Sequence, residues 1–235
     1  MFTVTTWNVL HRVHAENWNE DHVVATWPDE AVRAARIARW VAMACDRDLA
    51  VALQEVSGDQ VAALRREGLE VVTHSYERVP RTRGARAALA DCSEQLVIAS
   101  RRQLERLHGE SAGDDPGKGF LAARAGGGPV LVCTHVSSRE KGRAQLDRLA
   151  CYARGFHDVL ILGDFNAAAC VVAAACEGLV LAAHDGGRPT RLSSPYGEGR
   201  WIDHGLARGR PIRVAGVEDC GFLSDHNPVR FEVGA

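Results

Sequence analysis

The sequence has few lysines and little net charge. Lys118 and Lys141 are the only lysines among 28 basic residues, so arginine supplies nearly all the positive charge, and the formal net charge is −2. This balance excludes a protein that holds nucleic acid by overall charge alone, because such binding needs a strong positive excess. It leaves open an enzyme that grips one or two phosphates locally, a task for which the forked arginine side chain is well suited.

Neither the cysteines nor the apolar runs point to a secreted or membrane-spanning protein. The seven cysteines include no Cys-x-x-Cys pair, which argues against a disulfide framework or zinc ribbon and favours free thiols in a reducing cytoplasm. The longest apolar run, 170–183, is interrupted by Glu177 and Gly178 and is too short to span a bilayer. The first residues lack the pattern of a secretory signal. We therefore expect a cytoplasmic protein with no membrane span, and the sequence implies no obligate protein partner.

What the sequence does contain is a strand–helix–strand layout that occurs twice. Helical periodicity predicts helices at about 28–45, at 57–67 and after 137. Runs of apolar and β-branched residues predict strands at 2–9, 48–55, 69–76, 94–100, 129–136, 158–163, 201–207, 212–217 and 228–233. Short apolar strands joined by helices indicate a single α/β domain over 1–235, with helices covering the sheets. The segments 11–26 and 109–119 are expected to be loops.

Polar side chains recur where the predicted strands end. They are Asn8, Gln54, Glu55, Thr134, His135, Asp164, Asn166, Asp203, Asp225 and His226. Ligand sites in α/β sheets lie beyond the carboxyl ends of the strands. Carboxylates, an amide and histidines gathered there suit Mg²⁺, which takes one or two carboxylates and keeps positions for water and phosphate oxygen.

Seven short motifs carry a resemblance to a known family. They are TWN (6–8), LQE (53–55), SR (100–101), TH (134–135), GDFN (163–166), WID (201–203) and SDHNPV (224–229). In this order they resemble the endonuclease/exonuclease/phosphatase superfamily, which has the pancreatic-deoxyribonuclease-like fold. The resemblance implies a four-layer α/β sandwich, in which two packed mixed β-sheets are flanked by helices and the two halves are similar. It also implies a metal-dependent hydrolase of phosphate esters.

The resemblance assigns a metal site to three residues. Glu55 would be the main Mg²⁺ ligand, Asn8 would lie close to metal and phosphate, and Asp225 would be a further candidate ligand. Mn²⁺ would be able to substitute for Mg²⁺ at these oxygen ligands.

The resemblance assigns the reaction itself to five residues. Asp164 would orient or deprotonate the attacking water, and Asn166 would fix that water and a phosphoryl oxygen. His226 would contact the scissile phosphate, with Asp203 holding its tautomer, and His135 would be a second phosphate contact. The division of the base role between Asp164 and the His226–Asp203 pair stays open at this point.

The substrate is less constrained by the sequence. Segment 78–106 holds seven arginines against three acidic residues, a local charge of +4, and is either a solvated loop or a phosphate-gripping patch. We select Arg81, Arg83 and Arg101 from it, and Trp18 from the neighbouring irregular segment, as candidate substrate contacts. His11, His14, His22 and His204 are expected at the surface or rim.

Three functions are compatible with these residues. The first is a phosphodiesterase acting on nucleic acid or a nucleotide, favoured by the full site and the local basic segment. The second is a phosphatase or phosphodiesterase for a small metabolite such as a sugar, inositol or lipid headgroup, favoured by the short chain and low net charge. The third, an inactive binding module, is disfavoured by the intact set of candidate ligands.

Overall fold

The computed structural model describes residues 1–18, 20–82, 89–193 and 197–234. The first half of the chain forms β1 (Phe2–Asn8), α1 (Arg12–Asn17), α2 (Asp21–Thr26), α3 (Glu30–Cys45), β2 (Val51–Ser57), α4 (Gly58–Arg66), β3 (Glu70–Ser75) and β4 (Glu94–Ser100). The second half forms β5 (Leu104–Ala112), β6 (Asp115–Ala125), β7 (Val130–His135), α5 (Glu140–Ala153), β8 (Val159–Asp164), α6 (Ala169–Ala175), β9 (Val180–Leu181), β10 (Asp203–Arg208), β11 (Ile212–Val217) and β12 (Val229–Val233).

The strands form two mixed six-stranded sheets. The first has the order β11-β12-β1-β2-β4-β3 and the second the order β5-β6-β7-β8-β10-β9. Each contains a central parallel pair, β1 with β2 and β7 with β8, while the other neighbours are antiparallel. Each parallel pair is joined through a long helix, α3 or α5. The predicted α/β sandwich with two similar halves is therefore confirmed.

The alternation of side chains along the strands separates the core into layers. Alternate residues of the two sheets, including Ala52, Ile98, Leu131 and Leu162, meet in one apolar cluster between the sheets. The intervening residues face outward, where α3 and α4 cover the first sheet and α5 and α6 cover the second. Strands buried on both faces read as continuous apolar runs, which is why the sequence predicts them well.

Two segments expected to be loops are ordered elements instead. Segment 11–26 contains α1 and α2, and α1 begins where the His11 ring accepts a hydrogen bond from the Val13 amide at 3.2 Å. Six-residue helices carry too few turns to show an apolar repeat. Segment 109–119 lies largely in β5 and β6, and its Gly119 has a φ of +152° where a Cβ would lie 2.0 Å from the Glu110 carbonyl oxygen. The glycines here permit close strand pairing rather than a loop.

No helix in the described part of the chain has the length and apolar character needed to cross a membrane.

Candidate active site

The candidate site lies where the carboxyl ends of the parallel strands of both sheets meet. Asn8 ends β1 and Asp164 ends β8, and the Asn8 Nδ2 amide donates a hydrogen bond to Asp164 Oδ2 at 3.1 Å. The same amide donates to Glu55 Oε1 at 3.2 Å, while Asn8 Oδ1 accepts from the Leu10 amide. Asn8 thus bridges two acidic side chains that come from different sheets.

The backbone turns at Glu55 to bring its carboxylate into the site. The pairing of β2 with β4 shifts register between Leu53 and Val56, and Glu55 has a φ of 58°. A left-handed backbone is unusual for glutamate and is retained where surrounding structure enforces it, often at functional sites. The second carboxylate oxygen of Glu55 accepts from the His11 amide at 3.2 Å. Both oxygens are therefore held in place.

Asp164, Asn166 and His135 form the part of the site that belongs to the second sheet. Oδ1 of Asp164 accepts from the Asn166 amide at 2.9 Å, and Asn166 adopts a φ of 48°, which asparagine tolerates well. His135 Nε2 lies 3.4 Å from Asp164 Oδ2 and 3.8 Å from Glu55 Oε1. The Lys118 ammonium lies in hydrogen-bonding contact with the same ring nitrogen. One basic ring thus faces both carboxylates.

His226 approaches the site from the segment before β12. Its Nδ1 lies 2.8 Å from Asp203 Oδ2, and its Nε2 lies 3.8 Å from Asp164 Oδ2. The backbone of His226 is fixed as well, because its carbonyl accepts from the Trp7 indole at 2.8 Å and its amide donates to Ser224 Oγ at 3.1 Å. The ring is consequently held with one nitrogen on Asp203 and the other toward Asp164.

The charges of these groups support one another. Burial opposes ionisation of Glu55, yet His14, His135 and Lys118 lower the pKa of this carboxyl below its ordinary value. Burial opposes ionisation of Asp164 as well, yet His226, His135 and Lys118 lower its pKa. Burial likewise lowers the pKa of His226, but Asp203, Asp225 and Asp164 outweigh it and raise that pKa to about 10. Near neutral pH the site therefore presents two carboxylates and an imidazolium.

Asp225 is placed beside His226 but is engaged elsewhere. Its Oδ2 pairs with Arg191 Nη2 at 3.2 Å, and Arg191 also contacts Glu20 at 3.4 Å. Asp225 thus forms an ion pair with Arg191, which the sequence did not single out. Its role as a metal ligand stays a prediction.

The predicted substrate contacts are not gathered into one patch. Arg101 pairs with Asp46 at 2.9 Å, beyond the end of β4 that adjoins the start of β2. Because β4 runs antiparallel to β2, this end is remote from Glu55. The structure thus does not bring Arg101 to the site, and its predicted contact with substrate stays a prediction. Arg81 is exposed and its carbonyl accepts from Asn17 of α1 at 2.9 Å. Trp18, at the end of α1, is 60% exposed, and Arg83 lies outside the described residues.

Several site residues are absent from the sequence-based selection. Glu94 is fully buried, and its Oε2 lies 3.1 Å from His14 Nε2 and 3.3 Å from Arg78 Nη2. An acidic residue at the start of an otherwise apolar strand, EQLVIAS, is the feature that could have revealed it. His11 and His204 are buried, so the expectation that they lie at the surface or rim is wrong. His14 and His22 are partly exposed, and His14 also contacts Glu94.

The donor set fits a divalent cation. Among the described residues, donor atoms of Glu55, Glu94 and His135 lie within 4.8 Å of one another, as do those of Asp164, Asp203 and His226. Ionised carboxylates backed by hydrogen bonds are the ligands that hard cations such as Mg²⁺ prefer. Glu55 and Asp164, bridged by Asn8, meet that requirement.

Known structures share this architecture. A conserved protein of unknown function from Enterococcus faecalis is 17% identical with a TM-score of 0.70, and the match covers 99% of this chain and 99% of that one. TDP2 from D. rerio, complexed with a single-strand DNA product, is 15% identical with a TM-score of 0.65 over 98% of both chains. The human Nocturnin catalytic domain with a bound sulfate anion is 16% identical with a TM-score of 0.61, over 99% of this chain and 94% of that one.

Sequence comparison gives a complementary result. A search of curated protein sequences finds no match. The sequence profile of the Endonuclease/Exonuclease/phosphatase family, in contrast, matches residues 5–226, which is nearly the whole chain and includes every residue of the site described above. The chain therefore belongs to the endonuclease/exonuclease/phosphatase family, and it is a metal-dependent phosphoesterase.

Proposed function

We propose that this enzyme uses Mg²⁺ to hydrolyse phosphodiester bonds of a nucleic acid or nucleotide by attack of a water molecule on phosphorus. The observation that carries the proposal is the meeting of Glu55, Asn8, Asp164 and His135 with the His226–Asp203 pair at one end of the two sheets. Glu55 would hold the cation, with Asn8 beside it and Asp225 as the further ligand. When bound, Mg²⁺ supplies a positive charge that stabilises the developing charge on phosphoryl oxygens.

The free thiols of the described residues suit a reducing compartment, so we assign the chain to the cytoplasm.

The side chains around the cation have separate tasks. Asp164, held by Asn8 and by the Asn166 amide, orients the attacking water and accepts its proton. His226 donates from Nδ1 to Asp203, so that its Nε2–H faces the scissile phosphate and neutralises an oxygen of it. His135, with the Lys118 ammonium beside it, contacts a second oxygen, and Asn166 positions the water. Positioning all partners in advance removes much of the entropic barrier.

A nucleic-acid substrate is favoured by the side chains that α1 and the residues next to it place beside the site. His14 of α1 reaches Glu94 inside the site, and Trp18 stands exposed one turn further along the helix. Arg81 lies against the same helix through Asn17. An exposed indole offers a stacking surface for a base, and an arginine offers a phosphate contact. The DNA-bound TDP2 of similar fold supports this choice.

A small phosphorylated metabolite is the second candidate. It is favoured by the dispersal of the basic segment, since Arg101 pairs with Asp46 at the opposite end of β4, away from the site. A substrate with one phosphate needs only the contacts inside the site.

A substrate panel separates these candidates. Purified protein with Mg²⁺, Mn²⁺ or EDTA is assayed against single- and double-stranded DNA and RNA, mononucleotides and phosphorylated metabolites. We expect metal-dependent turnover of oligonucleotides. Turnover confined to metabolites establishes the second candidate. If no substrate of the panel is turned over, catalysis is contradicted and a binding module is favoured.

Two arginine variants test whether Arg81 contacts a nucleic-acid substrate. Arg81→Ala is expected to raise the KM for an oligonucleotide and flatten its salt dependence, because one phosphate contact is lost. Arg101→Ala is the matched control and should leave both unchanged, since Arg101 lies at the far end of the sheet. Equal behaviour of the two variants contradicts the role of Arg81.

A further inference from the structure

Phe222 is an exposed aromatic side chain in a strained turn. The residue is 49% exposed, and Trp18 is the other exposed Trp, Tyr or Phe among the residues that the structure describes. The backbone of Phe222 has a φ of 59°, in the left-handed region that bulky side chains rarely adopt. Such a conformation persists where the surrounding structure enforces it, and it occurs often where a ligand is held. The strain and the exposure together indicate that the ring is presented to a ligand.

The turn is fixed by contacts on both sides of Phe222. Before it, Oδ1 of Asp219 accepts a hydrogen bond from the Gly221 amide at 2.9 Å. After it, the Leu223 carbonyl accepts from the buried Arg33 guanidinium at 2.6 Å. A side chain on a rigid turn loses little conformational freedom when a ligand packs on it, so more of the contact energy is retained as affinity.

The turn leads directly into the segment that carries His226. His226 follows Phe222 by four residues, so their Cα atoms lie no more than about 14 Å apart. The Phe222 ring also meets the His22 ring of α2 edge to face, with centroids 5.4 Å apart. His22 Nδ1 in turn lies 3.8 Å from Oε2 of Glu20, at the beginning of α2. The ring is thus held against α2 at the rim of the candidate active site.

We propose that Phe222 is a stacking surface for an unpaired base of a single-stranded nucleic-acid substrate, close to the scissile phosphate. The inference rests on the proposed function and deepens it, because it names the strand state of the substrate and a second aromatic contact besides Trp18. A flat ring stacks on any base that presents a free face. The bases of a duplex are stacked on their neighbours and present none. Phe222 binds the substrate and takes no part in the chemical step.

The acidic groups around the ring are paired with arginines. Asp219 of the same turn pairs with Arg188 at 2.6 Å, and Glu20 pairs with Arg191 at 3.4 Å. An arginine beside each carboxylate reduces the negative potential that would repel the phosphates of a bound strand. The charges near Phe222 are therefore compatible with a polyanion that places a base on the ring.

Binding of a labelled oligonucleotide in EDTA tests the proposal without turnover. Fluorescence anisotropy gives the dissociation constants of the natural protein and its variants for a single strand and for a duplex of the same sequence. We expect Phe222→Ala to weaken single-strand binding by about tenfold or more, with a smaller effect on the duplex. Phe222→Trp should keep the natural affinity and Phe222→Leu should not, since leucine is apolar but has no flat ring. Val180→Ala, at an exposed apolar position on β9, is the control and should leave both constants unchanged.

The outcomes separate this inference from the proposed function. Natural affinity in Phe222→Ala, an equal loss for single strand and duplex, or full affinity in Phe222→Leu overturns the stacking role. If the natural protein still turns over oligonucleotides in Mg²⁺, the proposed function stands in each of these cases. Absence of both oligonucleotide binding and oligonucleotide turnover in the natural protein contradicts both.

A second variant keeps the proposal testable if Phe222→Ala does not fold, as judged by circular dichroism. Glycine adopts a positive φ without strain, so Phe222→Gly should change the midpoint of thermal unfolding little while single-strand affinity still falls. A lower midpoint with no loss of affinity means that the ring serves the fold, and it overturns the proposal.

Discussion

Nδ1 of His226 lies 2.8 Å from Oδ2 of Asp203, and both side chains are almost completely buried. Asp203 begins β10 in the second sheet, whereas His226 precedes β12 in the first, so the pair joins the two sheets beside the site. Because Nδ1 is committed to Asp203, the other ring nitrogen is the one directed at Asp164. The pair therefore fixes the orientation of the ring, and the carboxylate stabilises its positive charge.

Replacing Asp203 with asparagine should lower kcat by about 10²-fold or more, because the ring loses the negative charge that stabilises its protonated form and fixes its orientation. Substrate binding through the metal is retained, so KM should change little. Steady-state kinetics with a matched control, the exposed Asp147→Asn on α5, measures the effect. A kcat equal to that of the control contradicts the role of the pair.

The polar ends of the strands could be predicted from the sequence because apolar runs and short motifs are local features. Asn8, Glu55 and Asp164 each follow such a run, and the structure brings them into hydrogen-bonding contact through Asn8. Their roles in catalysis nevertheless stay predictions until they are assayed.

The rest of the site depends on contacts between distant parts of the chain. His14 and Glu94 are 80 residues apart in sequence, and only the antiparallel placement of β4 beside β2 brings them together. The same strand direction moves Arg101 away from the site, although Arg101 belongs to the SR motif at 100–101. Lys118 lies in a glycine-rich segment whose composition indicates a loop, whereas its strand becomes evident only through pairing with β7.

Glu55→Gln should remove metal-dependent turnover, with a loss of about 10³-fold or more in kcat/KM, since the proposed main ligand loses its charge. Mg²⁺ affinity, measured by calorimetry, should fall in parallel. Glu67→Gln, at an exposed position after α4, serves as the control. Turnover near the natural level in Glu55→Gln contradicts the assignment of this residue as the principal ligand.

Arg33 links the α3 helix to both segments that flank the site. Its guanidinium is fully buried, pairs with Glu30 through two nitrogens, and donates to the carbonyl groups of Val9, Leu10 and Leu223. Arg33→Ala removes the donor from these buried carbonyls and leaves Glu30 with its longer ion pair to Arg12 at 3.7 Å, so the free energy of unfolding should fall by about 3–5 kcal/mol. Urea unfolding measures this loss, and the exposed Arg39→Ala should lose less than about 0.5 kcal/mol. A similar small loss in Arg33→Ala contradicts the linkage.

His204 should make the stability of the fold depend on pH. Burial lowers the pKa of His204 below its ordinary value of 6.5, the charge of nearby His184 lowers it further, and Nε2 donates to the Ala167 carbonyl at 2.9 Å. The unfolded chain then binds more protons than the folded one as pH falls below 6.5, so this contribution to stability is complete above 6.5 and decreases toward acid. Between about pH 7.5 and about pH 5.5, the natural protein should lose more stability than His204→Gln, which does not titrate. Parallel slopes in urea unfolding contradict this.

Lys118 should contribute directly to turnover of an anionic substrate. Its ammonium lies against His135, and its charge helps lower the pKa of Glu55 and Asp164. A cation at this place neutralises charge that develops on phosphoryl oxygens, so Lys118→Met should lower kcat/KM by about 10- to 100-fold. The control is Lys141→Met, because Lys141 contacts only the Asp114 carbonyl at an exposed position among the contacts described. The loss should grow as ionic strength falls, since the contribution is electrostatic. Equal kcat/KM values for the two lysine variants contradict a role for Lys118 in turnover.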